Sequence, residues 1–252
     1  MANAELIEIF SAIQGEGPIV GRRQIFVRFG RCDVVCEYCD TPLCHVDLAR
    51  ARVETTPGVR DFAWIDNPVS TPRLLEAIAA LDRPSGLHDS VSFTGGEPLL
   101  HAEAIAAACP VVRARGLETY LETNGHLIDA LHRVIDGVDV VGMDIKLEST
   151  TGFAARFDEN RRFLAVAAGR AREVFCKIVV GADTSDEELE QALAVVADVA
   201  PHAPVVLQPV TPFRGRGCPP TPDRLLTMHA LAAARVRRPL VIPQTHKMLG
   251  QL

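Results

Sequence analysis

Cys32-Asp33-Val34-Val35-Cys36-Glu37-Tyr38-Cys39, with Asp40 and Thr41 directly behind, packs three thiols into eight residues. The spacing is Cys-x3-Cys-x2-Cys. So short a loop can wrap its sulfurs around one metal centre, whereas disulfides within it would leave a thiol over. Thiolates suit iron–sulfur clusters and zinc. A tetrahedral structural zinc site wants four protein ligands, so Cys44 or His45 would have to complete it. In a cubane cluster every iron needs one outside ligand. Three cysteines therefore leave one iron open, and an open iron is a place for chemistry.

Working outward, Gln24 to Gly30 precedes the loop. Ile25, Val27 and Phe29 alternate there with Phe26 and Arg28, the period of a strand, and the cysteine loop leaves its end. Leu6 to Phe10 is a second short apolar run. Residues 44–70 contain Pro57, Gly58 and Pro68 and show no clear period, which predicts an irregular insertion after the loop. Beyond it, strands and helices take turns. Thr71-Pro72 opens a helix to about Leu81. Strands follow at Ser90–Phe93, Leu117–Glu122, Val138–Met143, Val174–Val180, Val205–Gln208 and Leu240–Ile242. Helices are expected over 102–114, broken at Pro110, over 127–135 and 154–168, from Ser185 to about Val199, and last from Pro222 to about Arg235. This alternation predicts an α/β fold with a parallel sheet covered by helices, an open, incomplete (β/α)6-type barrel in one domain over residues 1–252. In barrels the functional residues sit at the C-terminal strand ends.

Composition sets the outer bounds. With 48% hydrophobic residues and a mean hydropathy of +0.13, the 252-residue chain has ample material for a core. A net charge of -6 with no basic run argues against nucleic acid. No apolar stretch reaches transmembrane length, and the N-terminus lacks the pattern of a signal peptide. Seven cysteines, an odd number with three clustered, point to a reducing compartment and metal ligation, hence to the cytoplasm.

Polar motifs fall at the predicted strand ends. Thr94-Gly95-Gly96-Glu97-Pro98 follows one strand, and its two glycines let backbone approach a ligand closely. Glu122-Thr123-Asn124-Gly125, Asp144-Ile145-Lys146 and Leu207-Gln208-Pro209 follow others. Taken singly, each also reads as a turn, an edge ion pair or a plain strand terminus.

The cysteine loop, with Tyr38 just before the third Cys, resembles the cluster loop of radical S-adenosylmethionine (SAM) enzymes. Thr94–Pro98 resembles the SAM-amine motif of the same superfamily. Gln14-Gly15-Glu16-Gly17, Arg28, Asp40-Thr41 and a terminal Pro243-Gln244-Thr245-His246-Lys247 narrow the resemblance to the 7-carboxy-7-deazaguanine synthase family. The resemblance implies a [4Fe-4S] cluster on Cys32, Cys36 and Cys39, SAM, and Mg2+ at Thr41. It implies SAM contacts at Tyr38, Cys39, Asp40, Gly95, Gly96, Glu97, Glu122, Thr123, Asp144, Ile145, Lys146 and Gln208. It further implies a pterin substrate held by Ile13, Gln14, Gly15, Glu16, Arg28, Thr94, Gln244 and His246, with Glu16, Arg28 and His246 in catalytic roles. Arg28 offers a guanidinium fork matched to a carboxylate. The implied reaction converts 6-carboxy-5,6,7,8-tetrahydropterin to 7-carboxy-7-deazaguanine with loss of ammonia, after a 5′-deoxyadenosyl radical takes hydrogen from C6. A flavodoxin- or ferredoxin-type electron donor and a homodimer are implied as well. Asp144-Ile145-Lys146 stands where family members often carry Ser-Pro-Lys, which puts a SAM contact at Asp144 in question. Cys44 reads as a spare thiol. Two alternatives stay open at this stage: an activating enzyme for a glycyl-radical protein, for which Asp144-x-Lys146 is suggestive, and a non-catalytic zinc or iron–sulfur module.

Overall fold

The computed structural model describes residues 2–251. It begins with β1 (Asn3–Ala4), β2 (Leu6–Ile13) and β3 (Arg23–Phe29), the last two an antiparallel hairpin. After the cysteine loop come β4 (Arg50–Glu54), β5 (Phe62–Asp66) and β6 (Val69–Ser70). Strands and helices then alternate through α1 (Thr71–Leu81), β7 (Ser90–Gly95), α2 (Ala102–Ala114), β8 (Glu118–Thr123), α3 (Ile128–Val134) and β9 (Val140–Ile145). The one-turn α4 (Glu148–Thr151), α5 (Phe157–Arg170), β10 (Glu173–Val180) and α6 (Asp186–Val199) follow. The chain closes with β11 (Val205–Pro209), α7 (Pro222–Arg235), β12 (Leu240–Val241) and the short α8 (Thr245–Met248).

Sheet order is β12-β11-β10-β9-β8-β7-β3-β2-β4-β5. Every neighbouring pair from β3 to β12 is parallel. Helices cross between successive strands, and the sheet keeps two free edges, so the barrel is open, as its βα pattern requires.

Strand periodicity decides what faces the inside. In β3 and β7 to β11, apolar residues such as Val27, Phe93, Leu121, Met143, Ile178 and Leu207 pack outward in the main core against the helices. Their sequence neighbours Arg28, Thr94, Glu122, Asp144, Lys177 and Gln208 take the opposite face. Each central strand thus aims at least one polar side chain into the barrel, and the sheet register sets Arg28 beside Thr94 and Lys177 beside Asp144.

Residues 44–70 are more ordered than their composition predicts. β4 joins the sheet parallel to β2, with Glu8 opposite Arg52, and β5 pairs antiparallel to β4. Arg50 and Arg52 disguise the alternation, because Ala51 and Val53 are the buried partners, and Glu54 is buried as well, its carboxylate accepting from Ser11 N–H at 2.8 Å. Helix α2 does not break at Pro110. The proline sits on its exposed side, while Ile105, Ala108, Cys109 and Val112 bury the other, so only solvent-side bonding is lost. α7 is not the last helix, since α8 follows β12. Ser185 caps α6 by accepting from Glu188 N–H at 3.1 Å, but the reciprocal contact of a capping box, from Glu188 back to the Ser185 N–H, is not made, because the Glu188 carboxylate accepts from Ser149 N–H instead.

Candidate active site

A cavity of about 440 Å³ opens inside the barrel, lined by the cysteine loop, by inward residues of β3 and β7 to β11, by the β2–β3 loop and by residues 244–251. Such a volume suits small-molecule sites. Every residue singled out in the sequence as a ligand or contact lines it except Glu97 and Ile145. Ile145 falls on the outward face of β9, in the core. Glu97 is fully buried behind the cavity wall, where its carboxylate accepts from Leu99 N–H (3.0 Å), Thr123 Oγ1 (2.8 Å) and Asn124 N–H (2.9 Å). Neither side chain lines the cavity. Burial pushes the Glu97 carboxyl up to about 8 against those three donors. It ties the Gly95-Gly96 turn to the end of β8. Glu97→Ala leaves those donors buried and unpaired, so chemical denaturation should show a loss of about 3–5 kcal/mol.

The turn itself needs glycine. A Cβ on Gly96 would overlap the Arg31 carbonyl oxygen, and Gly95 has φ +118°. Gly96 N–H donates to the Phe29 carbonyl at 3.0 Å and Glu97 N–H to that of Arg31 at 2.9 Å, so the turn lies flat against the start of the cysteine loop.

The thiols of Cys32, Cys36 and Cys39 border the cavity half-buried. Burial holds the Cys36 thiol up at about 11. Cys44, read from the sequence as spare, is buried among the loop thiols. Its S–H interacts with the sulfurs of Cys32 and Cys39, lowering both, Cys39 to about 6. The ligand atoms of Cys39, Cys44 and His45 lie within 4.8 Å of one another. The donor set at Cys32, Cys36 and Cys39 is purely sulfur and faces open cavity, which fits an iron–sulfur cluster with one site left for another ligand.

Beside the thiols, Lys146 Nζ donates to Tyr38 Oη at 2.9 Å and to Asp144 Oδ2 at 2.8 Å. Against the cost of burial, Lys146 and Lys177 hold the Asp144 carboxyl low. Thr123 and Gln208 complete this side.

Across the cavity, Arg28 donates from Nε to Glu8 Oε1 at 2.7 Å and from Nη1 to Thr41 Oγ1 at 3.3 Å, with its guanidinium over the Phe10 ring. Thr41 and Asp40 are thus adjacent to Arg28, and Asp40 pairs with Lys247 at 2.8 Å. The chain's two ends meet here. Thr245 N–H donates to the Gly15 carbonyl at 2.9 Å, and Gln244 Nε2 to Glu16 Oε1 at 2.7 Å. The His246 ring sits where a Gly15 Cβ would be, and burial lowers its pKa, so it is neutral near pH 7. Gln14 turns its amide to Gln24 and the Glu16 N–H, shaping the loop from within.

Three charged residues that line the cavity went unread in the sequence. Lys177 interrupts an apolar strand and reaches Glu16, Glu122 and Asp144. Glu8 interrupts Leu6–Phe10 and pairs with both Arg28 and Arg52. Arg52 comes from the stretch taken as irregular. The available signal was a charge set among apolar neighbours in a strand.

An open α/β barrel with three thiols at one mouth and a glycine turn pressed against their loop defines a radical SAM enzyme. The radical SAM superfamily pattern matches residues 26–196. The 7-carboxy-7-deazaguanine synthase of Geobacter sulfurreducens is 44% identical over 99% of this chain and 98% of its own length. That of Thermococcus kodakarensis is 34% identical, covering 82% and 84%. Among solved structures, QueE from Escherichia coli shares the fold with a TM-score of 0.63 at 23% identity, over 97% of this chain and 95% of that one. Within the radical SAM superfamily, the chain belongs to the 7-carboxy-7-deazaguanine synthase family.

Proposed function

We propose that the protein converts 6-carboxy-5,6,7,8-tetrahydropterin to 7-carboxy-7-deazaguanine with release of ammonia. The observation that carries this reading is the convergence of Glu16, Arg28, Gln244 and His246, from opposite ends of the chain, on one cavity shared with the cysteine loop. The near full-length match to named synthases supports it.

Cys32, Cys36 and Cys39 would hold the [4Fe-4S] cluster, and the Gly95-Gly96 backbone, Tyr38, Asp144 and Lys146 would seat SAM. Bound there, cluster and SAM supply one-electron chemistry for taking a hydrogen atom from substrate C6. The chain's own residues do the rest. Arg28 presents its free guanidinium edge to the substrate carboxylate, since Glu8 occupies only the Nε side. Thr41, beside it, would offer Mg2+ a hard oxygen, the kind of ligand that ion takes alongside waters and a substrate oxygen. Glu16, Gln244 and His246 face the pterin edge. His246, neutral by burial, can accept a proton at one ring nitrogen while donating from the other. Gln14, Gly15 and Glu16 line the cavity, and in covering the substrate they would help exclude water from the reacting ring.

A flavodoxin- or ferredoxin-type protein is the electron source we assign. Val35, Leu43 and Val46 expose apolar surface beside the cysteine loop, as such a partner needs. A homodimer in the cytoplasm is the assembly we assign. The seven cysteines are free, and no helix among the described residues is long and apolar enough to cross a membrane.

The test is anaerobic turnover. Reconstituted protein given SAM, Mg2+, dithionite and the carboxypterin should form 7-carboxy-7-deazaguanine, detected by mass spectrometry, only when SAM is present. Deoxyadenosine without any deazapurine would contradict the reading and favour the activating-enzyme alternative.

A further inference from the structure

Lys177 is the charged residue that β10 contributes to the cavity lining, and it is 5% exposed. It pairs with Glu16 from the β2–β3 loop, with Glu122 Oε1 of β8 at 2.7 Å and with Asp144 Oδ1 of β9 at 3.2 Å. Three carboxylates from three elements thus share one ammonium. Their other partners differ. Asp144 keeps Lys146 at 2.8 Å. Glu122 keeps only the Thr94 hydroxyl at 3.1 Å, and Glu16 only the Gln244 amide at 2.7 Å. Without Lys177, Asp144 would still have a cation, whereas Glu16 and Glu122, both part-buried, would lose their shared cation and stay close and unneutralised. Two carboxylates in that position cannot both stay ionised, because the mutual repulsion in low dielectric is too large. One takes a proton, and a protonated carboxyl donates a hydrogen bond where the carboxylate accepted one.

We propose that Lys177 is a positioning residue of the substrate half of the site: it keeps Glu16 and Glu122 (the latter assigned here to the substrate, where the resemblance implied a SAM contact) as acceptor-only carboxylates aimed at the N–H edge of a reduced nitrogen heterocycle, while contributing little to the SAM half. The proposal rests on the pterin reading above and adds which residue fixes the hydrogen-bond polarity of that pocket. An amide or hydroxyl in place of the ammonium would not serve, since neither neutralises two acids.

The test compares K177M, E122Q and the charge-balanced K177M/E122Q with the wild-type holoenzyme. Iron content and circular dichroism report folding, and KM is measured separately for the carboxypterin and for SAM. In K177M the pterin KM should rise at least about tenfold and the SAM KM change less than about twofold. K177M/E122Q should recover part of the pterin affinity lost in K177M, because removing one acid removes the conflict. Equal rises in both KM values, or no rise in either, would overturn the proposal. If K177M does not fold, the double variant decides against E122Q alone: a pterin KM raised above that of E122Q with SAM unaffected supports the proposal, and equality overturns it. Failure of both to fold makes Lys177 a folding residue and also overturns it. Absence of pterin turnover in the wild type would instead sink the functional reading, so the two failures are distinguishable.

Discussion

Cys36→Ala should leave anaerobically reconstituted protein with iron near background and should lower deoxyadenosine formation by at least about 100-fold, a larger effect than disturbing groups that merely support a metal ligand. The same substitution at Cys32 or Cys39 should be milder in iron content. Cys44 hydrogen-bonds to those two sulfurs, which places it to replace either of them as a ligand. Cys44→Ala alone should keep the iron. Iron and ultraviolet–visible absorbance measured across the four variants check the order. A Cys36→Ala protein that retains a full cluster would show that the centre is built on the Cys32, Cys39 and Cys44 set instead.

Arg28→Ala should lower kcat/KM for the carboxypterin by about 100-fold, or about 2.7 kcal/mol, the scale for removing one partner of a buried, charge-assisted contact. The fold should survive, because Glu8 remains paired with Arg52 at 2.7 Å. Cluster absorbance and SAM cleavage in the absence of substrate should survive too, since Arg28 lies across the cavity from Lys146 and Tyr38. Arg28→Lys should recover little, as an ammonium cannot reproduce the fork that holds Glu8, Thr41 and a carboxylate together. Steady-state kinetics with each substrate varied in turn separates these outcomes. Parallel loss of cluster and turnover would make Arg28 a residue of the fold.

Much of this molecule is legible in its sequence for physical reasons. β9 to β11, buried on both faces, read as near-continuous apolar runs, and β7 as an alternating one, so β7 to β11 and the helices between them fall near their expected places. Residues at strand ends are legible because a parallel barrel has one functional face, which is why Thr94, Glu122, Asp144 and Gln208 share a cavity. Pairings between distant segments are not legible from pattern alone. Gln244 beside Glu16, or Lys177 beneath three acids, depends on how the β2–β3 loop and the C-terminal segment fold back into the barrel. Glu97 shows the limit of motif reading: it belongs to the glycine turn in sequence, yet its carboxylate supports the wall from behind. Arg52 shows the converse, a strand residue hidden by a run of charges.

The electron paramagnetic resonance spectrum of the dithionite-reduced protein, recorded with and without SAM, tests the central claim most directly. A cluster held by Cys32, Cys36 and Cys39 alone should give a reduced [4Fe-4S] signal whose g values shift when SAM is added. A signal indifferent to SAM, or a protein that binds zinc through Cys39, Cys44 and His45 and gives no signal at all, would contradict it.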